Sequence, residues 1–196
     1  MPRKAKRQGE DGFLNGRLLI AMPSMADPRF EKSVILICHH TPETAMGLVI
    51  NRAIGGMRFE KLLKQLQIDA PEGQARDLTV HFGGPVETSR GFVLHSSDYS
   101  LNEATLPVTS TIALTATMDV LKALGSGGGP SRAFFALGYA GWGAGQLESE
   151  LLDNAWLIGE PDEEIVFGSA LETKWQAAMA RIGIDPGMMS DESGHA

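Results

Sequence analysis

Short apolar runs separated by polar turns cover most of the chain. Runs rich in β-branched residues predict strands, whereas apolar residues three or four positions apart predict amphipathic helices. In residues 33–40 both alternating faces are apolar, so this strand is expected in the middle of a sheet, buried on both sides. Strands are predicted over residues 16–22, 33–40, 45–52, 78–82, 90–96, 111–116, 133–139 and 155–159.

Short helices are predicted at 59–66, 117–125, 145–154 and over a C-terminal segment that ends at Gly183. This last helix has the clearest start signal, because Ser169 and Glu172 have the spacing of a capping box. Strands in runs, with helices placed irregularly between them, favour an α+β (mixed α/β) fold with a largely antiparallel sheet.

The periodic pattern predicts one folded unit between two polar ends. A chain of 196 residues is the size of a single domain. We expect a flexible basic tail over residues 1–11, one domain over 12–185 and a polar C-terminal tail over 186–196.

Charge and composition exclude several classes of protein. The net charge is −7; without the basic Arg3, Lys4, Lys6 and Arg7, 13 basic residues remain against 24 acidic ones, a balance of −11. Such a body should repel DNA, so direct DNA binding is not expected. No apolar run is long enough to span a membrane, no secretory signal is recognised, and there is a single cysteine. We therefore expect a cytoplasmic protein with no membrane contact.

The stretch GYAGWGAGQLESELLDNAWL, residues 138–157, raises the question of a phosphate-binding loop. Such a loop usually carries a lysine, whereas this one has none and is followed by Glu148 and Glu150. The prediction is a tight corner at Gly141-Trp142-Gly143, with a positive φ at one of the two glycines and Trp142 packed on the backbone.

A second glycine pair suggests a polar pocket. Gly83-Gly84 lies between two predicted strands and is first of all a turn, although its N–H groups could also face an anion. The candidate ligand or partner surface consists of Asn51, Arg52, Gly83, Gly84, Arg90 and Trp142.

No motif for catalysis or metal binding is found. Cys38 lies within an apolar run, so we expect a buried, inert and dispensable thiol. Ser97 and Asp98 are expected to form a turn. The histidines lack a recognised ligand spacing, so no catalytic residue, cofactor or metal is assigned; they are His39, His40, His81 and His95.

Several motifs in a fixed order resemble the YqgE/AlgH family of bacterial proteins. They are GRLLIAMPSMADPRFEKSVILICHH, AMGLVINR, FGGPVETSRGFVLHSSDY, the glycine-rich stretch and the terminal SGHA, which together extend over residues 12–196. The resemblance implies a bifurcated sheet curled into a pseudo-barrel with short flanking helices. It implies no catalytic residues, and the family's transcriptional-regulator label refers to a genetic role in some members.

Two functional hypotheses follow from these observations. The first is a non-enzymatic regulatory or interaction protein that acts through protein partners. The alternative is a small-molecule binding protein, for an anion or nucleotide, that uses the glycine turns with Asn51, Arg52 and Arg90. An enzyme is the third possibility, and turnover would reveal it.

Overall fold

A computed structural model describes residues 12–189. The ten strands are β1 (Leu18–Ala21), β2 (Val34–His40), β3 (Thr44–Val49), β4 (Ala53–Arg58), β5 (Thr79–Phe82), β6 (Val86–Ser96), β7 (Thr105–Pro107), β8 (Ile112–Thr115), β9 (Ala133–Gly143) and β10 (Trp156–Gly159). The helices are α1 (Phe59–Gln65), α2 (Met118–Gly125), α3 (Gln146–Leu152), α4 (Glu163–Phe167), α5 (Lys174–Arg181) and α6 (Pro186–Met189).

The strands form one bifurcated sheet. Its main path runs β10-β1-β2-β3-β9-β6-β8-β7, and β5 joins β9 in parallel while pairing with β4 on its other side. All other pairings along the path are antiparallel. The sheet curls into a half-barrel with the helices around it, as the mixed α/β prediction required.

The central position predicted for β2 is confirmed. It lies between β1 and β3, and Val34 to Cys38 are all buried. Its two faces contribute to different hydrophobic clusters: Leu36 and Cys38 pack with β6 and α5, while Ile35 and Ile37 pack with Trp142 and Trp156. Burial on both sides explains why this strand has no alternating polar positions.

The predicted corner at Gly141-Trp142-Gly143 is wrong. β9 continues through these residues because β3 pairs with them, placing Ala45 opposite Trp142. The turn into α3 comes later, at Gly145, whose φ is +72°. Within β9 itself, the positive φ is at Gly138 (+73°).

Two further local predictions differ from the structure. The C-terminal helix begins at Lys174 after a 3-10 turn at Leu171–Thr173, and its N-cap has no side-chain hydrogen bond. The buried Lys174 ammonium fixes this start, because it donates to the carbonyl oxygens of Ile50 (3.1 Å) and Val166 (2.8 Å). The short elements β4, β7 and α4 were not predicted, and α6 takes up the first residues of the predicted C-terminal tail.

Three glycines form a close backbone crossing where the chain enters β6. A Cβ atom on Gly83 would overlap the carbonyl oxygen of Gly138, and one on Gly84 would overlap the backbone of Tyr139. A Cβ on Gly138 would in turn overlap the carbonyl oxygen of Gly84. Only glycine allows the two segments to approach this closely, so the crossing divides β9 into two halves with different surroundings.

Candidate functional site

A cavity of about 610 Å³ lies against the sheet. Strands β3, β6, β8 and β9 supply most of its wall, and Leu106 of the edge strand β7 closes one side. The lining residues are His39, Thr44, Ala45, Met46, Val86, Arg90, Phe92, Ala104, Leu106, Leu114, Ala116, Tyr139, Gly141 and Trp142. This volume and this mainly apolar wall are those of a small-molecule site.

A break in the pairing of β6 with β9 positions the charged group of the cavity. Val86 pairs with Tyr139 but Gly91 pairs with Leu137, so residues 87–90 bulge away from β9. Glu87 within the bulge has a left-handed backbone, with φ at +45°. Bulges of this kind redirect side chains next to binding sites.

The redirected side chain is Arg90. Its guanidinium carbon lies 5.2 Å from the ring centre of Phe92, and its Nη1 lies 3.3 Å from Oε2 of Glu87. More than half of each side chain of this ion pair is exposed, so the pair itself adds little stability. The guanidinium therefore remains free to exchange Glu87 for another anion.

Tyr139 of β9 pairs with Val86 and lines the same cavity as Arg90. Its ring packs edge-on to Phe92, with the ring centres 5.9 Å apart and the planes at 82°. The pKa of the phenol is raised because burial disfavours the phenolate and because Glu87 is a nearby negative hydrogen-bond partner. The phenol therefore stays protonated at neutral pH and can donate a hydrogen bond into the cavity.

The charge of the cavity wall differs from that of the whole protein. The chain carries 24 acidic residues against 17 basic ones. Within the described residues, no carboxylate lines the cavity, whereas Arg90 does, and the Glu87 carboxylate that pairs with Arg90 is not among the lining residues. Such a wall favours an anionic group over a cationic one.

The predicted polar pocket does not assemble. The side chain of Asn51 receives a hydrogen bond from the N–H of Val34 (2.9 Å) and donates one to the carbonyl oxygen of Lys32 (2.8 Å). The guanidinium of Arg52 donates to the carbonyl oxygens of Arg29 and Glu31, both at 2.6 Å. Both side chains thus hold the loop before β2, and neither lines the cavity.

The backbone N–H and carbonyl oxygen of Gly83 are likewise used for hydrogen bonds within the protein. Gly83 donates its N–H to Leu137 and accepts from Val49 through its carbonyl oxygen. Gly83 and Gly84 are both buried in the backbone crossing. The structure therefore brings only Arg90 and Trp142, of the six predicted candidates, to a common cavity.

The indole of Trp142 is anchored on the opposite face of β9. Its Nε1–H donates to Oε2 of Glu150 at 2.9 Å, and the indole of Trp156 donates to the same oxygen at 2.8 Å. The two rings meet edge-on, 6.2 Å apart. Trp142 is 4% exposed, so it is a core residue that borders the cavity and not an exposed partner anchor.

The prediction that Cys38 is buried is confirmed. The side chain is 3% exposed, and burial raises the pKa of the thiol to about 12. A thiolate is therefore absent at neutral pH, and the thiol is inert.

The histidines lie in separate surroundings. His40 accepts from the N–H of Leu14 (3.0 Å) through Nδ1 and pairs with Glu148 (2.8 Å) through Nε2. His95 contacts Thr115 at 2.8 Å, and His81 stacks against Phe134 with ring centres 4.0 Å apart. Across residues 12–189 no group of three potential metal ligands is found.

Sequence reasoning missed Tyr139, Phe92 and Glu87. The first two belong to predicted strands, and nothing in the alternation of a strand shows which face surrounds a cavity. A signal was present for Glu87: the polar run ETSR interrupts an otherwise apolar strand, which is typical of a bulge.

Known protein families and solved structures similar to this chain are consistent with the fold. The family model described as AlgH-like matches residues 18–187. A UPF0301 protein of Rhodospirillum rubrum is 54% identical over 96% of this chain and 97% of its own length; a UPF0301 protein of Afipia carboxidovorans is 52% identical over 100% and 96%.

Two solved structures share the architecture. The solution structure of AlgH from Pseudomonas aeruginosa has a TM-score of 0.78 and 43% identity, covering 97% of this chain and 100% of that one. A crystal structure of a Corynebacterium diphtheriae protein has a TM-score of 0.70 at 19% identity, with 86% of each chain covered, which shows a common fold. Within the described residues, no helix is both long and apolar enough to cross a membrane. The resemblance drawn from the sequence is confirmed, and the chain belongs to the AlgH-like family.

Proposed function

We propose that this protein is a non-enzymatic binding protein whose concave cavity takes a small organic anion with an apolar body. The observation that carries the proposal is the contrast in charge: an acidic protein has a cavity of about 610 Å³ with Arg90 in its wall and no described carboxylate there. An apolar body would fill the space between Phe92, Met46 and Leu114, and its anionic group would meet Arg90.

The energetics of Arg90 suit this role. A guanidinium offers planar, paired donors that match carboxylates, sulfonates and phosphates. A ligand anion would replace Glu87, whose contact at 3.3 Å is exposed and weak. A hydrogen bond to a charged group contributes about 1.5–3 kcal/mol, or about 10- to 100-fold in affinity.

Two groups with catalytic chemistry, Cys38 and His95, do not line the cavity. The thiol of Cys38 is buried with a pKa of about 12, and the imidazole of His95 is hydrogen-bonded to Thr115 and to the carbonyl oxygen of Ser96. These groups serve the interior of the protein. No cofactor enters the proposal, and the phenol of Tyr139 acts as a hydrogen-bond donor.

A protein partner is the second candidate, and exposed apolar side chains near Arg90 favour it. Leu106 lines the main cavity, while Leu66 and Met118 line a neighbouring cavity of about 240 Å³ that shares Arg90. All three side chains are more than one-third exposed. On this view a cytoplasmic partner senses whether the cavity is filled, and any effect on transcription is indirect, without direct binding of DNA by this chain.

Titration calorimetry with two matched pairs of probes tests the proposed ligand class. Naphthalene-2-sulfonate is compared with 2-naphthol, and decane-1-sulfonate with 1-decanol. We expect at least one sulfonate to bind about 10-fold more tightly than its neutral partner, and Arg90→Met to remove that preference. Arg132→Met is the control, because Arg132 is also an exposed arginine paired with glutamates but lies away from the cavity.

The proposal is wrong if neither sulfonate binds, or if Arg90→Met leaves the preference intact. For the partner, affinity purification from native cells with the wild type and with Leu106→Glu is compared by mass spectrometry. A protein captured by the wild type and lost with Leu106→Glu supports docking beside the cavity. If both proteins capture the same partners, the partner binds elsewhere on the molecule.

A further inference from the structure

Gly141 is a glycine that the backbone conformation of β9 does not require. It lies inside β9, opposite Met46, and its φ is not positive. The nearest atom to a Cβ placed there would be Cε2 of the Tyr139 ring, at 3.2 Å, a tight contact that a shift of the ring by a few tenths of an ångström relieves. Gly138, three residues earlier, is different, because a Cβ there would overlap backbone.

A glycine inside a strand has an energetic cost. It loses more backbone freedom on folding than other residues, which destabilises the strand relative to one with alanine. Where the fold does not need it, a glycine in a strand marks a place where a ligand or another backbone comes close. Gly141 is exposed and lines the cavity, so its bare peptide forms part of the cavity floor.

The groups around this floor are suited to a flat ring. Tyr139, two positions before Gly141, projects on the same face of β9, and its ring meets Phe92 edge-on. Met46 lies directly across from Gly141 on β3 and supplies a polarisable thioether. Aromatic rings make favourable contacts with both kinds of group.

Arg90 lies beside the same pair of aromatic rings. Its guanidinium carbon is 5.2 Å from the ring centre of Phe92, and Phe92 is the ring that Tyr139 contacts. Gly141, Phe92 and Arg90 all line the one cavity, so a molecule bound there can contact the peptide with its ring and the guanidinium with an anionic substituent.

We infer that the ligand is an aromatic anion whose ring lies flat on the peptide of Gly141, which makes Gly141 the residue that determines specificity for a ring over a chain. This inference rests on the proposed function and refines its ligand class.

Calorimetry with the two sulfonates separates a ring from a chain, because naphthalene-2-sulfonate and decane-1-sulfonate have the same head group and equal numbers of carbon atoms. We expect the wild type to bind the naphthalene compound more tightly. Gly141→Val should weaken the naphthalene compound by about 10-fold or more and the decane compound by less than about threefold, since a flexible chain can bend around one added side chain.

Gly143→Val is the matched control. Gly143 lies on the same face of β9, two positions further along, with nothing within 4 Å of a Cβ and no place in the cavity wall. It should leave both affinities unchanged, and Gly141→Ala, a milder change, should give an intermediate loss for the ring alone. Thermal unfolding of each variant shows that the fold is kept.

Failure of this inference differs from failure of the proposed function. If both sulfonates bind in an Arg90-dependent manner but Gly141→Val weakens them equally, the site binds anions without selecting a ring, and the inference is wrong. If the decane compound binds more tightly than the naphthalene compound, it is also wrong. If neither compound binds, both proposals fail together.

Discussion

The two halves of β9 have opposite surroundings. Residues 133–137 pair with β6, residues 135–137 also pair with β5 on the other edge, and most of this half is buried. In the second half Tyr139 pairs with Val86 of β6, and residues 140–143 pair with β3 on one edge only. The Trp142 face of this half is closed by the Glu150 cluster, while Tyr139 and Gly141 open onto the cavity. The first half follows from the requirements of folding alone, whereas the open face of the second half leaves space that folding does not use.

The boundary between the halves should be the position most sensitive to a small change. Gly138 has φ at +73°, and a Cβ there would overlap the carbonyl oxygen of Gly84. We expect Gly138→Ala to lower the free energy of unfolding by about 4 kcal/mol or more, at the upper end of single-substitution effects. Urea unfolding measures the loss. A nearly unchanged midpoint would show that the crossing is adaptable and that β9 is not divided there.

The next largest loss of stability is expected at Trp142, on the closed face of the second half of β9. Trp142→Ala removes a buried ring and leaves Glu150 without one of its two indole donors. We expect a loss of about 3–5 kcal/mol in unfolding free energy. Chemical denaturation followed by circular dichroism tests this, with Trp142→Phe as the milder comparison. A loss below about 1 kcal/mol would mean that the ring is not a structural core residue.

Lowering the pH should destabilise the protein through His81, which lies on β5 beside the first half of β9. His81 lies on β5 beside Phe134, and its Nε2 is buried with no hydrogen-bond partner among the described residues. Burial lowers the pKa of this imidazole to about 4, with a further contribution from the positive charge of Lys174. The unfolded chain binds the proton at the ordinary value of 6.5, so the contribution of His81 to stability is complete above pH 6.5 and is lost as the pH falls towards 4.

The size of this effect can be isolated with a variant that does not titrate. Between pH 7 and pH 4 we expect the wild type to lose about 2–3 kcal/mol more unfolding free energy than His81→Phe. Urea unfolding at a series of pH values provides the measurement. Parallel curves for the two proteins would show that His81 is protonated in the fold as easily as in the unfolded chain.

The sequence predicted the first half of β9 well and the second half poorly, for physical reasons. Alternation of apolar residues determines which segments become strands, and it identified residues 133–139 and the central β2. It placed a corner at Gly141 and Gly143 because glycine is the usual residue of turns. Glycine that lines a cavity has the same sequence signal as glycine in a turn, and the pairing with β3 that distinguishes them comes from a distant part of the chain.

The candidate site was predicted only in part for a related reason. Of the six predicted residues, Arg90 and Trp142 border one cavity. Asn51 and Arg52 have the same polar character, but their hydrogen bonds are used by the loop before β2. Whether a polar side chain is free for a ligand depends on the carbonyl and N–H groups near it, and those become neighbours only after folding.

The smallest predicted effect is the one that most directly distinguishes the two halves. Gly143→Ala should raise the unfolding free energy by about 0.5–1 kcal/mol, because a Cβ there meets nothing within 4 Å and alanine has less backbone entropy to lose. Gly141→Ala should change it by less than about 0.5 kcal/mol, since that entropy gain is offset by the contact with Tyr139 at 3.2 Å. The same substitution is thus expected to be severe at Gly138 and harmless at Gly141 and Gly143. If Gly141→Ala were as damaging as Gly138→Ala, folding would require glycine at both positions, and Gly141 would no longer indicate a ligand.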